Sequence, residues 1–112
     1  MGNIGPLKNI MTKEFIEWTE DIKKSLKECI GDLADVMLIK NGTPYTNENG
    51  CATILITLPD GIRFRESFHQ EEFDKNNTIQ KYYLKEIRLK NLAWSMRTHC
   101  NEVLEIAAKI IS

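Results

Sequence analysis

Between Cys51 and Phe68 the apolar and polar positions alternate on both sides of a single turn. The run Cys-Ala-Thr-Ile-Leu-Ile-Thr-Leu is followed by Pro59-Asp60-Gly61 and then by Ile-Arg-Phe-Arg-Glu-Ser-Phe. This is the pattern of a β-hairpin. With only Asp60-Gly61 as the loop, Ile56 would oppose Arg65 and Leu58 would oppose Arg63. With Pro59-Asp60-Gly61 as the loop, Leu58 opposes Ile62, Ile56 opposes Phe64 and Ala52 opposes Phe68. The second register gives one apolar and one polar face, and Gly61 then takes the left-handed residue that follows a type I turn.

The remaining elements are read from the same kind of pattern. Apolar positions Phe15, Ile22, Leu26 and Cys29, with Ile30 beside them, predict a helix from Thr12 to Ile30. Thr12 is placed to cap it, Met11 with Ile16 to staple it, and Gly31 to end it. Val36 to Lys40 predicts a short strand, broken by Asn41-Gly42 and followed by a polar connection at 43–50. The stretch His69 to Asn77 reads as a charged loop holding one aromatic, Phe73.

From about Thr78 to Ile111 the pattern is helical, with two stripes rotated against each other. Ile79, Tyr83 and Ile87 form one, and Leu89, Leu92, Ala93, Met96, Cys100, Val103, Ala107 and Ile110 form the other. One unbroken helix of this length would reach about 50 Å, longer than a small domain is wide. It is therefore expected either to break near Lys90-Asn91 or to overhang and meet another chain. A strand at Lys85–Lys90 is the weaker alternative. The predicted fold is α+β in the order α-β-β-β-α: a small antiparallel sheet with the N- and C-terminal helices packed on one face. Residues 1–10 read as a short tail and 11–112 as a single domain.

Composition narrows the classes. The chain has 112 residues, 42% apolar and 28% charged, with a net charge of −1. That size supports a core without disulfides or metals. The balanced charge supplies no bulk attraction to nucleic acid or acidic membranes. No apolar run has the length of a membrane span and no secretory signal is visible, so a cytoplasmic protein without a membrane partner is expected. Cys29, Cys51 and Cys100 are odd in number and far apart, which suits reduced, buried thiols. The neighbours His99 and Cys100 diverge by about 100° on a helix and do not make a metal pair.

Three clusters are candidate sites. Arg63, Arg65, Ser67 and His69 share one face of the hairpin, with Thr53 and Thr57 beside them, and could grip an anion or form the wet face of the sheet. Glu66 falls on the apolar face opposite Ile54, and is expected at the sheet rim, turned outward or paired with a helix cation, or else buried with a raised pKa as a candidate site. Lys81, Lys85, Arg88 and Lys90 lie in a cation-rich segment, 75–97, interleaved with Tyr82, Tyr83 and Trp94, which is the composition of a nucleic-acid contact. No Ser/His/Asp or Cys/His arrangement, phosphate loop, dinucleotide turn or metal-binding helix signature is present. No enzyme, cofactor or metal site is therefore expected.

The order α-β-β-β-α resembles the Alu-domain proteins of the signal recognition particle, the small dimeric nucleoid-associated proteins of bacteria and the double-stranded-RNA-binding domain. All three resemblances imply nucleic-acid binding. They are resemblances of topology and assign no residue roles. The chain departs from the last class at Asp74-Lys75-Asn76-Asn77, where that class has a Gly- and Lys-rich entry to its final helix. The reading favoured by the residues is a non-catalytic protein-interaction module. It would be an adaptor or inhibitor, of phage or immunity type, that self-associates through Leu89, Leu92, Met96, Val103 and Ile110. The alternative is a nucleic-acid binder.

Overall fold

In the computed structural model, which describes residues 11–40, 50–99 and 104–111, the fold is α+β. Helix α1 spans Lys13–Ile30 and a 3-10 turn follows at Gly31–Leu33. Strands β1 (Asp35–Lys40), β2 (Cys51–Thr57) and β3 (Arg63–His69) form one antiparallel sheet in the order β1-β2-β3. Helix α2 spans Gln70–Lys75, α3 spans Thr78–His99 and α4 spans Leu104–Ile111. Helix α1 packs on β1 and β2, α3 on β3, and α4 against both α3 and α1.

The hairpin adopts the register set by its apolar face. Ile56 pairs with Phe64, Ala52 with Phe68 and Ile54 with Glu66. The Leu58 amide donates to the Ile62 carbonyl at 2.8 Å, and Gly61 has φ +92°, a value that suits glycine. The Asp60 carboxylate accepts from the Ile62 amide at 3.0 Å and fixes the turn. Strand β1 continues the same face, with Val36 against Ile56 and Leu38 against Ile54.

Helix α1 begins where its cap is. The Thr12 hydroxyl accepts from the Phe15 amide at 3.2 Å, and Gly31, at φ +60°, closes the other end by donating to the Lys27 carbonyl. Gln70, buried at the start of α2, accepts from the Thr12 amide at 2.7 Å and so ties α1 to the sheet. The buried stripe of α1 is Phe15, Thr19, Ile22, Leu26 and Ile30. Thr19 satisfies its hydroxyl on the Phe15 and Ile16 carbonyls. Cys29, expected in that stripe, is exposed. At about 100° per residue, Thr19 and Ile30 pull the buried arc away from Cys29, which falls just outside it. Cys51 is buried as expected; Cys100 lies outside the described residues.

Two boundaries differ from the sequence reading. The segment after β3 is not a loop: α2 lets Phe73 bury against Phe15 and Trp18, with ring centroids 5.4 and 5.2 Å apart. Helix α3 passes straight through Lys90-Asn91, and the strand considered at Lys85–Lys90 is helical. Its start is held by a reciprocal pair, with the Asn77 amide donating to Gln80 and the Gln80 amide to Asn77, each at 2.9 Å. Helix α4 then packs back on α3, so Leu92, Ala93, Met96, Ile106, Ala107 and Ile110 join Phe15, Ile54, Ile56 and Phe68 in one core.

Candidate functional site

The surface that stands out is the outer face of α3. At the end of α3 nearer α4, the inward stripe is spent within the chain: Leu92 and Met96 are 0% exposed and Ile110 is buried. Leu89 is half-buried at the core margin, and Val103 lies outside the described residues. Leu92, Met96 and Ile110 therefore offer no surface to a partner. The sequence reading took the second stripe for surplus because the pattern alone offered nothing to cover it. In the fold α4 packs on α3 and covers that stripe. The stripe exposed instead is the first one. Ile79 is 68% exposed, Tyr83 57%, Ile87 56% and Trp94 63%, with Tyr82 beside them. A cluster of this kind on a helix facing water is unusual for a small domain.

The cations of α3 divide by face. Arg88 turns inward and is held by two carboxylates, Glu72 at 2.6 and 2.8 Å and Glu66 at 3.2 Å. Burial raises the Glu66 carboxyl above its ordinary range despite the opposing pull of Arg88. Burial alone would lower Arg88, but Glu72 and Glu66 outweigh it and hold the guanidinium charged. Lys81 also turns inward, its ammonium 3.7 Å from the centroid of the Phe73 ring. Lys85 sits 5.2 Å from the Tyr82 ring, and Lys90 is exposed. Arg97, which was not singled out, lies 5.8 Å from the exposed Trp94 ring. The proposed basic row is thus broken up: Arg88 and Lys81 brace α3 against β3 and α2, while Lys90 and Arg97 flank the exposed aromatics. Glu66 pairs with a helix cation, one of the three outcomes weighed for it.

The four residues of the hairpin's other face are brought together by register. Arg63 lies opposite Thr57, Arg65 opposite Leu55, Ser67 opposite Thr53 and His69 opposite Cys51. Thr53 is fully buried, and its hydroxyl is bonded to that of Ser67 at 2.9 Å. Ser67 is thereby engaged within the sheet. His69 is the residue that leads into α2. This face also carries Met37, Leu55 and Ile39 in register, and it is buried at Cys51, Thr53 and Leu55, so along β2 it is not the wet face the sequence suggested.

A groove of about 350 Å³ runs between α1, α3 and α4, lined by Trp18, Ile22, Leu26, Leu89 and Ile110, with Asp21, Lys85 and Lys109 among its polar neighbours. Ser25 and Cys29 of α1 also line it. No cluster of His, Cys, Asp and Glu that could hold a metal occurs among the described residues. No helix among them is long and apolar enough to cross a membrane. No protein-family model matches the chain, and neither a curated protein nor a solved structure is significantly similar to it.

Proposed function

We propose that this protein is a non-catalytic protein-interaction module, an adaptor or inhibitor, whose docking surface is the outer face of α3. The observation that carries the reading is the exposure of Ile79, Tyr83, Ile87 and Trp94 along one helix whose core contacts, at Leu92, Ala93 and Met96, lie on another face. Burying an exposed isoleucine or aromatic ring yields on the order of 1–3 kcal/mol, and aromatic anchors carry most of the energy in protein interfaces. The test is site-specific photo-crosslinking in the source organism, with the reactive group at position 87 and a control at Glu28 on the outer face of α1. A discrete protein adduct at 87 and none at 28 is expected. No protein adduct at 87 above the control refutes the reading.

Nucleic-acid binding is the second reading, favoured by Tyr82, Tyr83 and Trp94 standing exposed beside Lys85, Lys90 and Arg97. It has fewer cations to draw on than the sequence promised, because Arg88 and Lys81 are occupied inside the fold. Fluorescence anisotropy with mixed-sequence single and double strands decides it. A steep fall of affinity with salt that Lys90→Gln and Arg97→Gln flatten supports it, and no binding at low salt removes it.

A further inference from the structure

Outside the docking face of α3, we propose that the groove between α1, α3 and α4 binds a single-chain aliphatic carboxylate of the fatty-acid class, its tail on the groove floor and its head at Lys85. The floor of this cavity of about 350 Å³ is Trp18, Ile22, Leu26, Leu89 and Ile110, aliphatic but for the indole. A second hollow of about 210 Å³ adjoins it across Lys85, Leu89 and Ile110, and reaches Tyr82, Lys90 and Ile111. Two hollows that share one wall offer an elongated apolar track, which a flexible alkyl chain follows and a compact ring does not. A cavity of about 150 Å³ takes up benzene, so the larger hollow alone has room for roughly a dozen non-hydrogen atoms. That is a carboxylate of about ten carbons. None of Ile79, Tyr83, Ile87 and Trp94 lines either hollow, so this site stands or falls separately from the docking face.

Charge selects the head group. Lys85 borders both hollows and is half-buried. Its ammonium lies 5.2 Å from the Tyr82 ring, and among the described residues it forms no salt bridge. The adjacent Glu86 is already engaged, accepting from the Tyr82 hydroxyl. Lys109 lines the larger hollow and Lys90 the smaller, so the cations Lys85, Lys90 and Lys109 outnumber the acids Asp21 and Glu86. A half-buried ammonium above an aliphatic floor is the complement of one carboxylate on an aliphatic tail. A cationic amphiphile meets like charge at this point, and an uncharged one leaves the Lys85 ammonium without a counter-ion.

The experiment is a heteronuclear NMR titration of the full chain with hexanoate, octanoate and decanoate, beside octanol and octylammonium. Saturable single-site binding is expected, with the shifted amides on α1, α3 and α4 around the groove. Affinity should rise up to about tenfold with each added pair of methylenes, as the tail covers more of the floor. Octanol and octylammonium should bind at least about fivefold more weakly than octanoate, and Lys85→Gln should bring octanoate down to the level of octanol. Ser25 lines the groove from an exposed position of α1. Ser25→Trp should therefore fill the groove and abolish binding with unchanged circular dichroism. No saturable shift with decanoate up to about 1 mM overturns the proposal. Equal affinity for the three head groups, or an octanoate affinity that Lys85→Gln leaves intact, overturns the carboxylate. Shifts that fall away from the groove, or binding that survives Ser25→Trp, overturn the site.

Discussion

Helices α1 and α3 are the two long helices of the chain, and they treat their outer faces in opposite ways. In α1 the buried stripe is narrow, and the outward positions are Lys13, Glu14, Glu17, Glu20, Asp21, Lys24, Lys27 and Glu28. Its acids lean toward the first turns and its lysines toward the last, which suits the helix dipole and keeps that surface wet. In α3 the inward side is buried at Leu92, Ala93 and Met96 and half-buried at Leu84, Arg88 and Leu89, yet the outward one is Ile79, Tyr83, Ile87 and Trp94. Folding this domain requires only the inward face of either helix. The apolar outer face of α3 is thus unexplained by the fold, and that contrast is what points to binding.

The comparison breaks most sharply at Leu92. Leu92→Ala removes a fully buried side chain facing the sheet, and should cost about 2–5 kcal/mol, read from urea denaturation. A cost near zero would mean that the inner face of α3 is not core, and that the assignment of faces is reversed.

The next largest effect concerns how α3 is held. Arg88 links α3 to β3 through Glu66 and to α2 through Glu72. Arg88→Ala leaves Glu66 half-buried without its cation. Full burial of such a charge would cost about 3–5 kcal/mol, and partial exposure here reduces this to about 1–3 kcal/mol. The loss should shrink on acidification, because protonating Glu66 removes the stranded charge. Measuring the difference between wild type and Arg88→Ala at pH 7 and at pH 5 checks this. An unchanged difference would place the damage in packing rather than in charge.

How much of this was legible in the sequence follows from the range of the forces involved. The hairpin register was, because it depends on residues within one turn and a one-residue slip would turn Phe64 and Phe68 outward. So was the start of α1, which Thr12 and Phe15 settle locally. The return of α4 onto α3 and α1 was not. No Gly or Pro lies between Thr78 and Ile111 to announce it. Without it, Leu92 and Met96 read as a surface for a partner, though both are buried in the fold. Glu66 was half legible. Its place on the apolar face followed from register, but its partners came from α3 and α2, which only the tertiary fold brings together.

A smaller effect isolates Glu66 from Arg88. Its carboxyl is raised above the ordinary value, chiefly by burial. A group raised on folding adds stability that is full below its unfolded pKa and is lost as pH climbs through its folded one. Glu66 therefore tilts stability downward with rising pH from about 4.5 through its raised value, against the trend of the exposed carboxylates. Glu66→Gln should remove that tilt, since Arg88 keeps its two bonds to Glu72. The expected change at pH 7 is within about 1 kcal/mol of wild type, of either sign. A variant whose stability falls away from wild type as pH rises would show that the Arg88 pairing, and not burial, governs this carboxylate.

The smallest effect on folding falls on the face that matters most for binding. Ile87→Gln replaces a side chain that is more than half exposed, and in dilute solution should cost under about 1 kcal/mol. Glu17→Gln on the outer face of α1 should cost as little, although one variant removes an apolar side chain and the other a charge. Thermal midpoints of the two variants beside wild type make the check. A loss from Ile87→Gln well above that from Glu17→Gln would mean that the fold itself uses the outer face of α3. The contrast with α1 would then no longer point to a partner.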